Sequence, residues 1–161
     1  MKYITIIIML LSASAVKAQD TTQQYFPQMD AIKQTNDAAI RAKAEGKHVL
    51  LMIGGNWCRW CKMFDRMLLN NSSVDSTLSA NYIFEHINFS KENRNLELMK
   101  LLDFPQRFGF PVFVVIDGKG DRIHTQNSAY LEEGEGYNAK KVIEFFEQWG
   151  PAALKEEQYL D

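Results

Sequence analysis

Cysteine is scarce in this chain, with two in 161 residues. Small secreted domains built on a disulfide framework need several pairs, so that class is excluded and the core has to come from apolar packing. Hydrophobic residues supply 46% of the chain and aromatics 12%, enough for one domain of this length. Histidine is almost as rare. His48, His86 and His124 are scattered without ligand spacing and no second cysteine pair accompanies them, which argues against a metal site. Basic residues are not in excess: the net charge is −2 and no basic stripe occurs, so nucleic acid is not an expected partner. Long apolar runs are missing too. Residues 4–11 form the longest at the N-terminus, too short for a permanent membrane anchor.

That short run has a different meaning. Lys2 precedes it, and Val16 and Ala18 follow it at the spacing a signal peptidase reads, so cleavage before Gln19 is expected. No cysteine follows directly, so a lipid anchor is not expected. Loss of residues 1–18 removes Lys2 and Lys17 and leaves a more acidic chain. The expected organisation is a signal peptide at 1–18, a polar leader at 19–29, one domain at 30–150 and a loosely held tail at 151–161. The product would be periplasmic or secreted, and a monomer.

Residues 30–45 are helical in composition, with Gly46 as the stop. Residues 48–53 are an unbroken apolar run, as in a strand covered on both faces. A helix follows from Cys58, carrying Cys61, Phe64 and Leu68 on one face. Residues 74–80 read as a short helix, 82–89 as a strand and 96–102 as a helix broken by Phe104-Pro105. Residues 110–116 and 122–126 flank a glycine-rich turn as a hairpin. Residues 132–137 read as an acidic loop. Asn138 then caps a last helix with Val142, Phe145, Phe146 and Trp149 on one face.

The two cysteines sit three positions apart in Gly54-Gly55-Asn56-Trp57-Cys58-Arg59-Trp60-Cys61-Lys62, between a strand and a helix. The first thiol would lie among the unpaired N–H groups of the helix start, at the positive end of the dipole, which favours thiolate. The second lies one turn on, within reach of a mixed disulfide at the first. Two other readings stay open. A static bridge is one, although so short a loop stabilises poorly; half of a metal site is the other.

With Trp57, Cys58, Cys61 and Lys62 matching W-C-x-x-C-K, and Pro111 matching the proline that faces the dithiol, the chain resembles the thioredoxin superfamily. The resemblance runs from about residue 37 to 149 and is closest to secreted bacterial members with a tryptophan before the second cysteine. It implies an α/β fold, a central mixed sheet with helices on both faces. It also implies a cis bond before Pro111, with Phe110 offering backbone to an extended substrate. Cys58, exposed at the helix start, would attack and Cys61 would resolve; Trp57, Arg59 and Trp60 would shape the docking surface and the potential. Many members bury an acid on the preceding strand to accept the proton of the second thiol. Here that position is Met52, and the lysine that pairs with the acid maps onto His86. A neutral arrangement is therefore expected, with His86 as a candidate proton relay.

The leading expectation is an exported thiol–disulfide oxidoreductase acting on proteins and recycled by a membrane or periplasmic partner. It would need no cofactor beyond a redox-active Cys58–Cys61 disulfide, and no metal. The competing expectations are a binding module that keeps the fold without turnover, and a copper or zinc carrier using the two thiolates.

Overall fold

Strand β1 (His48–Gly54) is buried along its whole length. Successive side chains of a strand point to opposite faces. Leu50 and Met52 accordingly enter one apolar cluster, while Val49, Leu51 and Ile53 enter another. A strand packed on both faces needs no polar alternation, which explains the unbroken apolar run. The structure, a computed structural model, describes residues 23–160, so the expected signal peptide at 1–18 lies outside the described residues.

Around β1 lies a four-stranded mixed sheet in the order β2-β1-β3-β4. Strand β2 (Tyr82–Asn88) runs parallel to β1; β3 (Val112–Ile116) and β4 (Arg122–Asn127) continue antiparallel on the other side. Helices α1 (Ala31–Glu45) and α4 (Leu96–Leu101) cover the face of Val49, Leu51 and Ile53. Helices α2 (Arg59–Asn70), α3 (Ser72–Asn81) and α5 (Ala139–Gln148) cover the other. Asp30 caps α1 by accepting the Ile32 and Lys33 N–H groups, and Gly46, at φ 65°, ends it in the left-handed region where a side chain costs most. The fold is thioredoxin-like, with the mixed sheet and two-sided helical cover expected.

Four details depart from the sequence reading. Asn71 ends α2 and caps α3 at once, its side chain accepting the Val74 N–H, so α3 is longer than the 74–80 piece. Strand β3 starts at Val112 rather than 110, since Pro111 has no N–H for the ladder; the Phe110–Pro111 bond is cis, as the resemblance implies. Residues 132–137 form a small hairpin, β5 (Glu132–Glu133) and β6 (Gly136–Tyr137), instead of an open loop. The Tyr137 ring holds it down, meeting Trp60 and Phe64 edge-on at 5.6 and 5.2 Å. The fourth departure is in the leader. Tyr25 is 2% exposed and belongs to the core, tied by a two-way backbone pairing with the Asn56 side chain at 2.7 and 3.2 Å.

Phe64 is the aromatic hub of the site-bearing face. Its ring meets Phe84, Phe113, Tyr137 and Phe146 with centroids 4.6 to 6.5 Å away, and it is fully buried. Phe64→Ala should therefore cost about 3–5 kcal/mol in denaturant unfolding. A cost below about 1 kcal/mol would show that α2 is held by something else.

Candidate active site

Strand β1 stops at Gly54, and the chain turns over Gly55, whose carbonyl accepts the Cys58 N–H at 2.9 Å. Cys58 is extended, at φ −81° and ψ 108°, and occupies the cap position of α2. Its Sγ accepts the backbone N–H of Cys61 at 3.1 Å, the bond a serine or aspartate side chain makes at other helix starts. The two sulfurs are joined as a disulfide. A negative charge on Cys58 Sγ would meet an oriented N–H donor and the positive end of the helix dipole.

Cys58 was expected to be exposed; it is 3% exposed, and Cys61 is 0%. The cause is packing. Both sulfurs belong to the core cluster, and Phe110 and Trp60 pack against it from outside. The residue preceding Cys58, Trp57, is 57% exposed. The Trp57 Nε1–H donates to the Phe89 carbonyl at 2.9 Å, and its ring meets Phe110 edge-on at 5.3 Å. Phe89 meets Phe110 in turn at 4.9 Å. Next to these rings lies a groove of about 680 Å³, lined by Trp57, Phe89, Ser90, Lys91, Glu92 and Arg94.

The structure thus brings Trp57, Cys58 and Phe110 together, with Pro111 buried behind Phe110. Arg59 is exposed. Trp60 turns the other way, toward Tyr137. Phe89 and the loop after β2 carry no sequence motif, and only the sheet brings them to the dithiol.

Behind Cys61 the expected neutral arrangement is not what the chain builds. Met52 does occupy the strand position, fully buried and opposite His86 in the β1–β2 register. A carboxylate arrives instead from α2. Asp65, four residues after Cys61, meets His86 Nε2 at 2.8 Å, with both side chains less than one-fifth exposed. The His86 ring also meets Tyr25 edge-on at 5.1 Å. Tyr25 and Asp65, with Lys62 and Asn56, line a cavity of about 90 Å³. Burial raises the Tyr25 phenol well above its ordinary value, and the Asp65 charge and Tyr137 add to this. Sequence reasoning missed both: the position of Asp65 one helical turn beyond Cys61 is a signal that could have found it, whereas Tyr25 has no local signal. Among the described residues no cluster of three or more His, Cys, Asp or Glu side chains could hold a metal ion.

Residues 30–118 match the family described as thioredoxin-like. The chain belongs to that family. Among solved structures, the thioredoxin-like neighbours include a disulphide isomerase from Xylella fastidiosa Temecula1, 26% identical, with a TM-score of 0.69 over 80% of this chain and 97% of that one. The oxidised C-terminal domain of DsbD from Neisseria meningitidis shares the fold at 23% identity, with a TM-score of 0.55 over 74% of this chain and 96% of that one. A curated thioredoxin-like relative is the thiol:disulfide interchange protein DsbD of Escherichia coli K12, 27% identical over 103 residues, or 64% of this chain. The match spans only 17% of that relative's length.

Gly54 keeps the site this tight. A Cβ there would stand 2.4 Å from Cys61 Sγ and 3.1 Å from the Tyr25 hydroxyl. Gly54→Ala should cost about 1–3 kcal/mol by overpacking and should disturb the disulfide more than a distant destabilising change does. Full stability together with an unchanged rate of disulfide reduction by dithiothreitol would contradict this packing.

Proposed function

We propose that this thioredoxin-like chain is an exported thiol–disulfide oxidoreductase that exchanges disulfides with protein clients through Cys58 and Cys61. The observation that carries this is the Cys61 N–H aimed at Cys58 Sγ at the start of α2, with Cys61 itself fully enclosed. In the reduced protein, the Cys58 thiolate attacks a client disulfide and releases one client thiolate. Cys61, inaccessible to clients, then attacks Cys58 Sγ and frees the second. Run backward, the same steps oxidise a client. No further cofactor enters this scheme. The relatives named as disulfide isomerase and interchange proteins support it.

Trp57 and Phe110, with Arg59 at the rim and the buried Pro111 beneath, form the client surface. Pro111 has no N–H to give, and the groove beside Trp57 offers aromatic faces to an extended segment. Export rests on the signal at residues 1–18, and a membrane or periplasmic redox partner would recycle the dithiol. A metal carrier would need further ligands beyond two thiolates. A binding module without turnover would have no use for an enclosed second thiol.

Cys58→Ser should abolish exchange with insulin in dithiothreitol, whereas Cys61→Ser should accumulate mixed disulfides with clients, because resolution needs the second thiol. Equal trapping by both variants would overturn the assignment. The helix start and the N–H···S bond stabilise the reduced form, while exposed Arg59 adds little. The couple should lie between the thioredoxin value of about −270 mV and the strongest oxidants at about −120 mV. Equilibration with glutathione buffers measures it, and a value below the thioredoxin figure would contradict the account.

A further inference from the structure

The Tyr25 hydroxyl is fully buried and has no hydrogen-bond partner among the described residues. A buried donor left unpaired is costly, and such a group in a native structure calls for an explanation such as a redox role. Tyr25 is held in place from both sides. Its backbone pairs with Asn56, three residues before Cys61's helix begins, and its ring rests against His86. The hydroxyl and Cys61 Sγ crowd the same spot above Gly54, at 3.1 and 2.4 Å from where a Cβ would be. In the disulfide, that sulfur is a weak acceptor. As a thiolate it is a strong one.

We infer that Tyr25 is a positioning residue for the resolving thiol, its phenol donating a hydrogen bond to Cys61 Sγ whenever the Cys58–Cys61 bond is open. This deepens the oxidoreductase reading and rests on it. When a client thiolate attacks Cys58 Sγ, the client–Cys58 bond forms and the Cys58–Cys61 bond breaks. The electron pair of the broken bond leaves on Cys61 Sγ, and the client sulfur is oxidised as the protein disulfide is reduced. No proton has to move, because the phenol stays protonated and only turns its O–H onto the new thiolate. Its buried setting beside Asp65 keeps it a donor rather than a base. The phenol comes from a segment ahead of the domain's first helix, and it steadies the thiolate as a donor without replacing the proton acceptor that Met52 lacks on β1.

Tyr25→Phe removes the hydroxyl and keeps the ring. It should stabilise the oxidised form or leave it unchanged, since an unpaired donor is lost, and should destabilise the reduced form. The equilibrium constant with glutathione should move about tenfold toward the oxidised protein, which is about 30 mV. This measurement compares two redox forms of one variant, so a packing loss common to both cancels. An unchanged constant, or a shift toward the reduced protein, would overturn the proposal. Wild-type turnover of insulin, run alongside, separates the two readings. A wild-type protein that equilibrates with glutathione but never exchanges with proteins would sink the client reading while leaving the Tyr25 shift to stand or fall alone.

Discussion

The point at which α2 begins controls the chemistry of this protein. Cys58 is the cap of that helix, and its sulfur takes the Cys61 N–H that a polar cap would otherwise take. The helix therefore needs electron density on Cys58 Sγ as much as the thiolate needs the helix. A sulfur atom is a poor cap when neutral and a good one when charged, so the local fold and the redox state are linked through one bond. Placing that cap requires a strand that ends abruptly, a turn with no side chain to spare at Gly54, and an aromatic base under the helix at Phe64.

The two sulfurs then face different surroundings. On the Cys58 side Phe110 packs against the cluster and joins Trp57 and Phe89 in a partly exposed aromatic group. Cys61 shares its corner of the core with Tyr25, whose ring meets His86, which in turn pairs with Asp65, so that these three polar groups come from different elements. In the proposed exchange this asymmetry sets the order, with a client meeting Cys58 and Cys61 acting within the protein. The pairing of Asp65 with His86 also holds α2 to β2, so the enclosed side is braced as well as polar.

Most of the fold was legible in the sequence because its signals are local. The unbroken apolar run of β1, the Gly46 stop, the Asn138 cap and the Val142, Phe145 and Phe146 stripe each have one structural meaning, and each is realised. The cysteine pair was legible for the same reason, as a short spacing with a mechanism behind it, whereas Pro111 was legible through the family resemblance. What stayed hidden depends on contacts distant in sequence. Tyr25 lies in a stretch that reads as a polar leader, and only Asn56, 31 positions away, brings it into the core. Residues 132–137 look like a solvated acidic loop until Tyr137 is seen packed on Trp60 and Phe64. The burial of Cys58 was hidden too, because a helix start reads as exposed when the rings that cover it lie far along the chain. Met52 correctly marked a missing acid on β1, but the carboxylate that serves that region sits on a different element.

The most direct measurement of the central claim is the pH dependence of alkylation of the reduced protein by iodoacetamide, with each modified cysteine identified by mass spectrometry. Cys58 should react first and alone near neutral pH, titrating below the free-thiol value of about 8.5, with Cys61 protected until the protein unfolds. Equal labelling of the two cysteines in the folded protein, or a Cys58 that titrates at or above the free-thiol value, would contradict the account.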